Sequence, residues 1–99
     1  MYNNLILSFK HNALEALWTS GDITILPTAY VHEVIAILDL LDASEDINDL
    51  ALLGGFRIEK IKQHTWSVTI SVNGFETIGN ITCLFKKNNA EAVDLNEYD

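Results

Sequence analysis

An α+β fold is predicted from two observations on this 99-residue chain. Up to about Leu53 the apolar residues recur every three or four positions, as on one face of a helix; after Gly54-Gly55 the period falls to two. Within the second half, His64 to Asn73 alternates strictly, with His64, Trp66, Val68, Ile70 and Val72 on one side and Thr65, Ser67, Thr69, Ser71 and Asn73 on the other. Successive strand side chains face opposite ways, so this stretch predicts a central strand with one face on a core and one face wet. The expected order is β-α-α-β-β-β-β, with two N-terminal helices packed on one face of a largely antiparallel sheet.

Each element has its own signal. Leu5 to Phe9 is a short apolar run without helical spacing, read as a first strand. In Asn12 to Ser20, Leu14, Leu17 and Trp18 share a helix face, and Gly21 stands where a left-handed terminator is wanted. Thr28, just after Pro27, is the expected N-cap of a second helix running to about Ala43. Its buried stripe is Val31, Val34, Ile35, Leu38 and Leu41, leaving His32, Glu33, Asp39 and Asp42 off it. Ser44 opens a short helical turn that Ile47, Leu50 and Leu53 fasten to the core. Phe56 to Lys62 is a strand, and the phase error between Ile58 and Ile61 predicts a bulge near Lys60. Gly74 closes the central strand. Thr77 to Lys86 follows with Ile81, Cys83 and Phe85 inward, then a turn at Lys87-Asn88-Asn89, then a last strand from Ala92 to Tyr98 with Val93 and Leu95 on one side.

The chain is read as one domain, residues 1–99. No leader is expected in MYNNLILSFKHN, and Val31 to Leu41, interrupted by His32, Glu33 and Asp39, is too short to span a bilayer. A lone Cys83 fits a reducing, cytoplasmic setting. The net charge of −8 is uneven: residues 1–53 carry eight acids and one lysine, residues 54–99 six acids and five bases. Phosphate binding depends on Lys and Arg, so composition by itself opposes nucleic acid and confines any anion chemistry to the strand around Arg57, Lys60 and Lys62.

The ordered stretches SFKHNALEALWTSGD, ILDLLDASEDINDL, GGFRI, WSVTISVNG and AVDLNEYD resemble, across nearly the whole chain, the HigB-like plasmid-maintenance killer proteins of the RelE toxin superfamily. That resemblance implies a RelE-like fold, an antitoxin partner with a helix-turn-helix domain, and metal-free, cofactor-free cleavage of ribosome-bound mRNA. Such cleavage uses the RNA 2′-hydroxyl as nucleophile, so the protein must help remove a proton, stabilise phosphate charge and protonate the leaving oxygen. The resemblance carries over Arg57, Lys62 and Tyr98 as site residues. Glu59 and Asp99 stand where the family has histidines, and Gly79-Asn80 replaces a tryptophan-arginine pair.

Each candidate has a plainer reading beside it. Lys60, Lys62 and Arg57 form either a phosphate clamp or a solvated strand face; Lys86 and Lys87 touch an RNA backbone or merely solubilise a turn. Tyr98 is an acid-base hydroxyl or a packing anchor, and Trp66 a stacking platform or core. His64 at a strand entrance reads as structural, His11 and His32 receive no catalytic role, and Cys83 is expected to be inert core. The acidic second helix either meets a basic partner or is simply solvated. A second function therefore stands beside the toxin: a degenerate toxin fold that binds an antitoxin or another basic protein.

Overall fold

The computed structural model describes residues 5–74 and 76–98. Three helices, α1 (Asn12–Ser20), α2 (Val31–Ala43) and α3 (Asp49–Gly54), precede four strands, β1 (Ile58–Lys62), β2 (Thr65–Val72), β3 (Glu76–Lys86) and β4 (Asn89–Glu97). The strands form one antiparallel sheet in the order β1-β2-β3-β4. One core joins Leu14 and Leu17 of α1, Val34, Ile37, Leu38 and Leu41 of α2 and Leu50 of α3 to Val68, Ile70, Ile81, Cys83, Val93 and Leu95 of the sheet. These sheet residues share one side, so the helices lie on one face. Burying each of the large side chains contributes about 1.5–3 kcal/mol, which is what holds the two layers together.

The helices show where local chemistry prevailed and where packing overrode it. Gly21 takes φ 74° and its N–H returns to the Leu17 carbonyl, ending α1 as expected. His11 caps that helix, its Nδ1 accepting from the Leu14 amide at 3.4 Å. Thr28 does not cap α2. The Pro27 carbonyl accepts from both Tyr30 and Val31, forming a turn that delays the helix to Val31. Ile37, not Ile35, completes the buried stripe, and Asp42, expected off it, is only 4% exposed. Asp42 Oδ1 accepts from the amides of Leu5 and Ile6 at 2.9 and 3.2 Å, a long-range demand that helix periodicity does not reveal. Ile47 and Leu50 reach the core, but Leu53, still within α3, is exposed; Gly55 in the left-handed region ends the helix.

Leu5 to Lys10 runs parallel to β4 but touches it only at two bridges, Ile6 with Ala90 and Phe9 with Val93. A β4 bulge explains the interruption: Ala92, at φ 52°, is the extra residue between Thr82 and Leu84, and its amide is taken by Ser8 Oγ at 2.8 Å. A bulge also falls between Lys60 and Lys62, as the phase error predicted. His64 leaves the strand for the β1–β2 turn with φ 63°, so β2 begins at Thr65. The polar side of β2 is less wet than alternation implies, since Ser67 is 7% exposed. Lys87 and Asn88, both at positive φ, make the last hairpin turn. Among the described residues no helix is long and apolar enough to cross a membrane.

Candidate functional site

The face of the sheet away from the helices is built by register. Arg57, whose carbonyl accepts from the Thr69 amide, lies level with Thr69, Asn80 and Asn96. The next row on that side is Glu59, Ser67, Thr82 and Asp94; the third is Lys62, Thr65, Leu84 and Glu91. Tyr98 continues the β4 alternation onto the same face, and its amide bonds the Ile78 carbonyl at 2.8 Å. Arg57, Glu59, Lys62 and Tyr98 thus share one surface. Asp99 lies outside the described residues.

The bulge at Ile61 decides which lysine belongs there. Lys60 pairs with Trp66, on the helix side, whereas Lys62 pairs with Thr65, on the outer side. An unbroken strand would have sent both the same way. The two lysines therefore cannot clamp one phosphate together. Lys60 instead lines a groove of about 340 Å³ with His64, Trp66, Phe85 and Lys87, opposite Glu45 and Asp46. Trp66 is half-buried there, so it is neither pure core nor a free platform. Lys62 lines a smaller hollow of about 260 Å³ with Lys10, Thr65 and Thr82. Lys86 is exposed at the far end of β3.

Distance separates the remaining candidates. Arg57 and Tyr98 stand at opposite edges of the sheet, three strand spacings or at least roughly 14 Å apart. Arg57 and Lys62 are five residues apart along β1, roughly 15 Å for an extended chain. They bracket a surface large enough for more than one phosphate, without converging on a point. Arg57 borders a cleft of about 470 Å³ with Glu33, Gly54, Phe56, Thr69, Ser71 and Asn73.

The middle of the outer face is neutral. Asn80 Nδ2 donates to Ser67 Oγ at 2.8 Å, and Asn96 Nδ2 reaches Thr82 Oγ1 at 3.4 Å. Asn80 Oδ1 and Thr65 Oγ1 are buried without a protein partner. The hydroxyl and amide set can offer hydrogen bonds to sugar or base edges but supplies no positive charge. Glu59 opposes Ser67 directly, so its carboxylate sits against an uncharged hydroxyl rather than a base.

One contact at this site could not be read from the sequence. Tyr30, buried at the start of α2, donates its hydroxyl to Glu97 Oε2 at 2.5 Å. Burial, then the bond to Glu97 and its negative charge, push the Tyr30 phenol up to about 12. Because Glu97 precedes Tyr98, this bond fixes the end of β4 and positions the Tyr98 backbone. Cys83 is 2% exposed and burial pushes its thiol up to about 12, which removes it from nucleophilic chemistry. Gly79 is required by contact: a methyl there would overlap the Asn96 carbonyl oxygen. Among the described residues no group of three or more His, Cys, Asp or Glu side chains is placed to hold a metal ion. In comparisons with known proteins, no family model matches the chain and no curated protein matches it.

Proposed function

We propose that this chain is a HigB-like member of the RelE superfamily, the toxin of a type II toxin–antitoxin pair, and that it cleaves ribosome-bound mRNA. One observation carries the reading: Arg57, Glu59, Lys62 and Tyr98, the residues indicated by the resemblance, come from both ends of the sheet yet share its helix-free face. On that surface Arg57 and Lys62 neutralise separate phosphates, Glu59 accepts the 2′-hydroxyl proton, water returns a proton to the leaving oxygen, and the Tyr98 phenol, three strand spacings from Glu59, orients a neighbouring part of the RNA. The antitoxin partner is a helix-turn-helix protein.

A second reading is favoured by the neutral centre of the face. The Asn80–Ser67 pair occupies the place where the resemblance implies an arginine, and Glu59 replaces a histidine. With Arg57, Lys62, Lys86 and Lys10, which lines the same hollow as Lys62, set against Glu59, Glu91 and Asp94 there, phosphate affinity is weak. The chain is then a catalytically degenerate toxin fold that binds an antitoxin or another basic protein.

Induced expression of wild type beside Arg57→Ala and Tyr98→Phe, with mapping of mRNA ends, separates the two. Growth arrest with cleavage that both substitutions relieve supports the enzyme. Well-expressed, folded wild type that neither arrests growth nor cuts mRNA, but forms a stable complex with a helix-turn-helix protein encoded beside it, supports the binding module. Neither arrest nor complex rejects both.

A further inference from the structure

The helical side carries an apolar surface that the chain itself leaves uncovered. Leu52 and Leu53 are adjacent on α3 and are 79% and 74% exposed. The sole buried residue of this helix is Leu50. Next to them the apolar surface continues: Leu40 and Phe56 are half-buried, and a methyl added at Gly54 would overlap Leu40 Cδ1 and lie 2.7 Å from Phe56 Cδ2. The strip therefore runs from Leu40 across Gly54 to the two leucines.

Its rim is acidic. Asp49 precedes Leu52 and Leu53 by three and four residues, which puts it on their side of the helix. Glu33, seven residues before Leu40 and so on its face of α2, borders the cleft at Gly54, and Asp39 is exposed on the adjoining face of the same helix. Residues 12–54 contain no Lys or Arg; Arg57, on the far wall of that cleft, is the nearest base in sequence. An apolar strip between helices, edged by carboxylates in a half of the chain that holds a single lysine, has the chemistry of a groove for a helix of opposite charge.

We propose that this strip docks a basic amphipathic helix of a partner protein. The apolar stripe of that helix covers Leu40, Leu52 and Leu53, and its Lys and Arg side chains meet Glu33, Asp39 and Asp49. A second copy is the wrong occupant, because its strip would bring the same acids against these, on a chain of net charge −8. The inference rests on the partner-binding part of the proposed function and needs none of the RNA chemistry.

The probe is a synthetic Leu/Lys amphipathic peptide of about five helical turns, compared with a peptide of the same composition in scrambled order. Titration calorimetry should show the patterned peptide binding at least about tenfold more tightly than the scrambled one. Leu52→Asp with Leu53→Asp, both at exposed positions, should erase that preference while leaving the circular dichroism unchanged. Asp39→Asn with Asp49→Asn should weaken binding and flatten its salt dependence. Equal binding of the two peptides, a preference that survives the leucine substitutions, or no binding would overturn the proposal. So would a wild-type dimer in sedimentation that the leucine substitutions dissolve, since the occupant would then be a second copy. Growth arrest is unaffected by any of these results, so failure here and failure of the toxin reading are told apart.

Discussion

Substituting Gly79 by alanine tests the sheet architecture beneath the candidate site. The added methyl would overlap the Asn96 carbonyl oxygen and stand 3.2 Å from Glu97 Cα, and both are backbone atoms. No side-chain rotation relieves that. Either β4 moves away from β3 or β3 bends, and the Tyr98 to Ile78 hydrogen bond of 2.8 Å lies one residue away. Losing one or two ladder bonds costs about 1 kcal/mol each, and forcing the strands apart adds about 1–3 kcal/mol. The expected loss is about 3 kcal/mol, a large share of the roughly 5–15 kcal/mol available to a domain. Urea denaturation followed by circular dichroism measures it, with Gly21→Ala as the control. Gly21 has positive φ, 74°, unlike Gly79, and nothing lies within 4 Å of its would-be methyl, so only conformational strain of about 1–2 kcal/mol applies. If Gly79→Ala costs no more than Gly21→Ala, the close β3–β4 approach is not the constraint and the reasoning fails. The same geometry bars a return to the tryptophan that the family resemblance implies at position 79.

Three further outcomes follow from buried groups. Asp42→Ala leaves the Leu5 and Ile6 amides without their acceptor and should cost about 2–3 kcal/mol; a loss under about 0.5 kcal/mol would show that the N-terminal segment is not held there. Burial and the bond to Glu97 push the Tyr30 phenol up to about 12, above its ordinary range near 10. In that window the unfolded chain has released the proton and the folded one retains it, so this part of the stability is intact below pH 10 and declines toward pH 12. Denaturation midpoints across that range should fall less steeply in Tyr30→Phe than in wild type. Cys83 should resist iodoacetamide in the native state and react once urea unfolds the protein; rapid native labelling would contradict its burial.

The sequence carried the secondary structure further than the site. Gly21 and the spacing of Leu14 and Leu17 set α1 by contacts within one or two turns. The alternation of β2, the phase error at Ile61 and the inward Ile81, Cys83 and Phe85 likewise report a local period. Thr28 misled because capping depends on the turn in which it sits, and the Pro27 carbonyl bonding Tyr30 and Val31 sets that turn. Asp42 misled because polar residues on a helix are ordinarily solvated; its partners are 36 and 37 residues away. Leu53 misled because its spacing from Leu50 implies a shared face, whereas α3 buries Leu50 and leaves Leu53 exposed.

What the sequence by itself determined is the α+β order, the change of period at Gly54-Gly55, the acidic helical half and the identities of the residues on β1. Those depend on neighbours a few positions apart. Only the tertiary structure decided that Lys60 and Lys62 face opposite ways, that Arg57 and Tyr98 share a surface four strands wide, and that Tyr30 holds Glu97. A bulge shifts the side-chain phase by one residue, and a sheet joins residues by register across strands. Strand pairing therefore fixes these relations, because residues far apart in the chain meet only when the strands align.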